Sequence, residues 1–306
     1  MVLKTLKRSK SKVIEILLTH SKIEAAELNQ HFNGMTLFMW ACKNGHIAIV
    51  KLLMERSDFD FNDKDSSETK NTAFMWACQN GHQDIVKTLL EEHSDSIDYN
   101  AISGRCKAWT AFVIACQNGH REVVKLLLNH SNSKNIEVNG EEGLSWTLTV
   151  LSDVCRTRPH EAGGHVAVVK LLLDYSSDSN IELKTKDNEG FTPFMLACQK
   201  GHKDVVNLLL DHYQRIDLNS RNRHGLTALM IACHYGHKDI VQLLLNNSER
   251  IELNARANTG YTALILACWE GHKDIVKLLL EYSDIDTSGY TDLPQEMIDF
   301  IESYQL

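Results

Sequence analysis

The chain has 306 residues, 43% of them hydrophobic and 24% charged, which excludes wholesale disorder. It has only 3 prolines and no Pro/Gly/Ser-rich stretch to join two compact domains, so one elongated folded unit is expected. A net charge of −8 argues against a phosphate backbone as the main partner, because non-specific nucleic-acid affinity rests on clustered Lys and Arg.

In chain order, residues 1–12 gather Lys4, Lys7, Arg8, Lys10 and Lys12. They read as a basic, flexible, solvated tail, the alternative being a strip for an acidic partner or a membrane surface. They run into Val13-Ile14-Glu15-Ile16-Leu17-Leu18 without an uninterrupted apolar core or a small-residue cleavage site, so no secretory leader is expected. No stretch has the roughly 20 apolar residues that a membrane span needs.

A Gly-His pair then recurs at Gly45, Gly81, Gly119, Gly164, Gly201, Gly236 and Gly271. The period, about 35 residues, is that of a stacked array. The cleanest copy runs from Gly190 to Leu210. Thr192 suits an N-cap and Pro193 the first helical position, where a missing N–H costs no intrahelical bond. Phe194, Ala197 and Cys198 fall on one face, and Gly201 can take the left-handed conformation that ends a short helix. Asp204 favours the start of a second helix, whose Val205, Val206, Leu208, Leu209 and Leu210 are apolar almost all round. Two such helices cannot bury that surface alone and need neighbours on both sides. Ile216-Asp217-Leu218-Asn219 then alternates apolar and polar and reads as an extended finger.

The ends fit the same scheme. Residues 13–21 match a second helix, so residues 13–31 are expected to form an N-terminal capping half-repeat, residues 32–290 to carry the repeats, and residues 291–306 to form an amphipathic C-terminal capping helix. The fourth repeat, about 140–187, is degenerate, with an insertion at 158–163.

The run Gly-x-Thr-Ala/Pro, Ala-Cys-x-x-Gly-His, Ile/Val-Val-x-Leu-Leu-Leu resembles the ankyrin repeat family, with six close copies and a degenerate seventh. The resemblance implies an all-α solenoid of about seven helix–turn–helix repeats with short finger loops and a concave face. It also implies a non-catalytic scaffold or adaptor for a protein partner, with no cofactor. Where the family usually carries His in the first helix, this chain has Met39, Met75, Val113, Met195, Met230 and Ile265. Some of the family's bonding between fingers is therefore expected to be missing. The resemblance further implies Asn219 or Asn254 as a hydroxylation acceptor, although the same Asn also suits a turn.

Six cysteines, Cys42, Cys78, Cys116, Cys198, Cys233 and Cys268, recur at one point of the period. Equivalent positions lie about one helix spacing apart, roughly 8–10 Å, too far for disulfides or shared metal ligands. Free buried thiols and structural histidines are expected, with no metal, in a reducing cytoplasmic or nuclear setting. The fourth repeat places Asp153, Cys155, Arg156, Arg158, His160 and Glu161 close together. That group reads as a surface loop, with a binding protrusion or a Cys-His nucleophile as alternatives. Leu293-Pro294-Gln295-Glu296-Met297-Ile298, with Ile301 and Tyr304, resembles the first helix of an F-box, which would make the array a ubiquitin-ligase substrate receptor.

By the same resemblance, partner contacts fall on the finger residues beside Gly-x-Thr and on the two residues between Ala-Cys and Gly-His. In the last three repeats the candidates are Phe191, Gln199, Lys200, Arg223, His224, Leu226, His234, Tyr235, Asn258, Tyr261, Trp269 and Glu270. Tyr, Trp and Arg are enriched in binding hot spots, whereas the alternative for the aromatics is packing between fingers. Repeats one to three offer a more polar set, including Lys43, Asn44, Asn71, Gln79, Asn80, Trp109 and Asn118. The chain is expected to be monomeric without its partner.

Overall fold

The computed structural model describes residues 29–56, 60–92, 96–104, 109–134, 136, 163–175, 183–287 and 293–305. The basic tail, nearly all of the N-terminal half-repeat, and Cys155 with its insertion up to residue 162 lie outside the described residues. The chain divides into two compact units rather than one: residues 1–146 with 163–177, and residues 147–162 with 178–306. The division falls within the sequence's fourth repeat, about residues 140–187.

The first unit holds α1 (Leu37–Asn44), α2 (Ile47–Met54), α3 (Ala73–Gln79), α4 (Gln83–Glu92), α5 (Ala111–Gln117), α6 (Arg121–Lys134) and α7 (Gly163–Tyr175). The second holds α8 (Pro193–Lys200), α9 (Lys203–Asp211), α10 (Ala228–His234), α11 (Lys238–Leu245), α12 (Ala263–Trp269), α13 (Lys273–Leu280) and α14 (Gln295–Gln305), with single 3-10 turns after α9 and α11. Within each unit the helices pair as hairpins. First helices stack in one row (α1, α3, α5; α8, α10, α12) and second helices in another (α2, α4, α6, α7; α9, α11, α13).

Each first helix starts where the sequence places it. Thr36, Thr72, Thr192, Thr227 and Thr262 accept a hydrogen bond from the third helical N–H through Oγ1, at 3.3–3.4 Å. Among the described residues, the apolar stripe of each first helix and, in each second helix, the Ile/Val-Val pair and the middle Leu of the following run are buried. Between the two, Gly45, Gly81, Gly119, Gly201, Gly236 and Gly271 all have positive φ, 70° to 80°. Left-handed backbone there turns the chain into the second helix.

The histidine that follows does not cap its own helix. Its ring turns to the preceding repeat instead, and Nε2 meets a backbone oxygen beside Cys. His82 reaches Lys43 O, His120 reaches Gln79 O and His237 reaches Gln199 O, each at 2.9 Å; His165 reaches Gln117 O at 2.7 Å and His272 reaches His234 O at 3.2 Å. The glycine makes room for that ring. A Cβ on Gly201 would lie 2.8 Å from His237 Cε1, and one on Gly236 would lie 2.7 Å from His272 Cε1.

Bonding between fingers is present without the family's histidine. Arg223 N–H donates to Glu189 O and Asn258 N–H to His224 O, both at 3.0 Å. Asn side chains add a second tie. Asn219 donates to Arg250 O at 3.0 Å and accepts from Glu252 N at 2.9 Å; Asn254 pairs likewise with Asp284 O and Asp286 N, and Asn62 with Ser96 O and Asp98 N. Met195 and Met230 lie where the family's histidine would be. Their Sδ atoms accept from Thr192 N and Thr227 N at 3.5 Å, so a soft thioether caps the helix start. Asn219→Ala removes two bonds at a solvated site and should destabilise the second unit by about 1 kcal/mol, read by urea unfolding.

The C-terminal helix α14 packs on α13 and copies a second helix. Met297 and Ile301 are buried at the spacing of Ile275 and Leu279. The Lys273–Glu296 pair, at 2.5 Å, continues the longer Lys203–Asp239 and Lys238–Asp274 pairs of the earlier repeats. Pro294 O accepts from Met297 N and Ile298 N just as His272 O accepts from Ile275 N and Val276 N. Pro294 therefore stands where each preceding repeat of this unit has a histidine.

Candidate partner-binding face

In the second unit, the residues between Ala-Cys and Gly-His sit at the ends of α8, α10 and α12, next to the finger tips. The fingers are shaped by Asx turns. Asp187 Oδ1 accepts from Glu189 N and Phe191 N, and Asn222 Oδ1 accepts from His224 N and Leu226 N, all at 2.8–2.9 Å. Phe191 and Leu226 are half-buried at the base of their fingers. Packing within the array explains these two.

The other aromatics point outward: Tyr235 is 48% exposed, Trp269 45% and Tyr261 37%. They are also held in place. Tyr261 and Trp269 lie near-parallel with ring centroids 6.5 Å apart, and Tyr235 lies near-parallel to His237 at 6.5 Å and edge-on to His234 at 4.8 Å. Gln199 Nε2 donates to the Tyr235 hydroxyl at 3.1 Å. His234 Nδ1 sits 3.0 Å from a Glu270 carboxylate oxygen, off the line of a good hydrogen bond. Lys200, Arg223, His224, Asn258 and Glu270 are exposed around them, with Arg223 3.7 Å from Glu189. The structure thus brings the candidates into one ladder of solvent-facing rings and mixed charges. Rings pre-oriented by neighbours lose less entropy on binding.

The polar set of the first unit has other employment. Asn44, Asn80 and Asn118 donate to Trp40 O, Trp76 O and Ile114 O, closing their own helices at 2.8–2.9 Å. Asn71 is buried and donates to Gln79 Oε1 at 3.2 Å. Sequence reasoning missed Trp76. It is nearly buried, its indole N–H donates to the buried Asp65 carboxylate at 2.9 Å, and the Lys43 ammonium lies 3.8 Å above its ring. Its place just before Ala-Cys was the available signal.

A family profile described as "Ankyrin repeats (3 copies)" matches residues 5–103, 148–222 and 214–288, and one described as "Ankyrin repeat" matches residues 108–139. The chain belongs to the ankyrin repeat family. A search of curated proteins finds no match. Ankyrin repeats are generally protein–protein interaction modules and typically non-catalytic. The Gly-His and Ala-Cys landmarks of these repeats are accounted for by packing. Cys42, Cys78, Cys116, Cys198, Cys233 and Cys268 are free and buried. Burial pushes the thiol pKa of Cys42, Cys78, Cys116 and Cys233 far up and that of Cys268 up to about 12, so at neutral pH each is a protonated thiol with little nucleophilicity. Among the described residues no three His, Cys, Asp or Glu side chains gather to hold a metal ion, and no helix is long and apolar enough to cross a membrane.

Proposed function

We propose that this ankyrin-repeat chain is a non-catalytic adaptor or scaffold that captures a protein partner on the finger and first-helix ends of its second unit. Tyr235, Tyr261 and Trp269 are the anchors, and Gln199, Lys200, Arg223, His224, His234, Asn258 and Glu270 form the polar rim. The observation that carries this reading is the outward exposure of three ordered aromatic rings, which the fold itself leaves uncovered. Exposed aromatics ringed by polar groups have the composition of a hot spot. The buried protonated thiols fit a reducing compartment inside the cell, and the chain acts as a monomer until the partner binds.

Replacing Tyr235, Tyr261 and Trp269 with Ala should abolish capture of the partner while circular dichroism shows unchanged helix content. Capture at the wild-type level by the triple variant would overturn the site.

The ligase-receptor reading has less support. The apolar side of α14, with Leu293, Met297 and Ile301, is buried, which leaves Gln295, Glu296, Asp299, Glu302 and Ser303 exposed for a ligase adaptor. Deleting residues 291–306 should leave partner capture intact. A loss of binding to a ligase adaptor in a pull-down, without unfolding, would favour the receptor reading instead.

A further inference from the structure

Five times among the described residues, the carbonyl of the residue after Ala-Cys accepts from the histidine ring of the next repeat: Lys43, Gln79, Gln117, Gln199 and His234. In four of those five, the glycine two residues later forms the wall against which that ring lies, and a Cβ there would come within 2.5–2.8 Å of it. The sixth such pair is Trp269 and Gly271. Gly271 has the same left-handed backbone, φ 72°. Among the described residues nothing comes within 4 Å of a Cβ placed on it, and no donor reaches the Trp269 carbonyl. Pro294 is the cause. It occupies the histidine position ahead of α14, and its ring is too short to cross to Gly271 and carries no N–H.

We propose that the cradle of Gly271 and the Trp269 carbonyl receives a histidine ring of the partner protein, lying against the glycine and donating Nε2–H to the carbonyl. The chain itself names the occupant, because every filled copy of this cradle among the described residues holds an imidazole. The cradle adjoins the exposed Trp269 and Tyr261, so a histidine next to an apolar residue on the partner would engage both at once. The inference rests on the partner-binding reading above and specifies one residue of the partner.

The first arm of the test needs no partner. Titrating the full chain with 4-methylimidazole and following backbone amide resonances should give a saturable shift centred on Gly271. The shift should be absent in Pro294→His, whose own ring fills the cradle, and in Gly271→Asn, which tolerates left-handed backbone and fills the space with its side chain. No saturable shift in the wild type, or an equal shift in both variants, overturns the cradle. The second arm uses the captured partner. Pro294→His should weaken capture about tenfold, the loss of one good hydrogen bond. If Trp269→Ala abolishes capture and Pro294→His leaves it unchanged, the histidine inference falls and the binding face stands. If neither variant changes capture, both fall.

Discussion

Gly201→Ala should destabilise the second unit by about 3 kcal/mol, although it adds one methyl group. Two costs combine. An alanine held at φ 80° pays roughly 1–2 kcal/mol for left-handed backbone. Its Cβ would also stand 2.8 Å from His237 Cε1, in a ring that cannot step aside without giving up its 2.9 Å bond to Gln199 O. Leaving that carbonyl and the ring unpaired costs about 1–3 kcal/mol more. Gly271→Ala is the control, since it has the same backbone demand and no ring to displace, so it should cost only about 1–2 kcal/mol. Hydrogen-exchange protection of α8–α11 reads the first and that of α12–α13 the second. Equal losses in the two variants would show that the histidine contact contributes nothing.

Leu244→Ala should be as damaging by a different route. Leu244 lies fully buried in α11, between α9 and α13. Truncation removes about three buried carbon atoms and leaves a void that stacked helices on both sides cannot close, for a loss of roughly 2–5 kcal/mol. Stability in a stacked array is mostly a sum over neighbouring interfaces, so the loss should appear first as exchange in α9, α11 and α13. A uniform drop across both units would contradict nearest-neighbour coupling. Leu243→Ala, at a half-buried position one residue earlier, should cost well under half as much.

Much of the fold was legible because each landmark answers a local demand. Thr192 and Pro193 mark a helix start through the backbone donors they satisfy or lack, and Gly201 marks its end through the sign of φ. The stacking followed from helices too apolar to stand alone. What could not be read was direction. Spacing shows that His237 follows Gly236, yet not that its ring turns away from its own helix to a carbonyl two residues before Gly201. For the same reason Asn44, Asn80 and Asn118 read as free polar positions, whereas they close the helices they follow. The missing first-helix histidine suggested weaker fingers. Backbone bonds, Asn side chains and two methionine sulfurs supply ties that a pattern of residue types does not reveal.

For the candidate face, the sequence names positions and leaves open which rings face solvent. Phe191 and Leu226 hold the same place in the repeat as Tyr261, and both are half-buried. Tyr261 is exposed. The C-terminal segment carried two patterns at once, a leucine-proline helix start and a second-helix burial spacing. Only the position of α14 against α13 shows the second at work.

Hydroxyl-radical footprinting of the chain, free and with the proposed protein partner bound, tests the assignment of function to the variable residues most directly. The expected result is protection of Tyr235, Tyr261 and Trp269, with Tyr213, which is 38% exposed on the turn after α9, reacting equally in both states. Protection of Tyr213 with the three rings unchanged would contradict it.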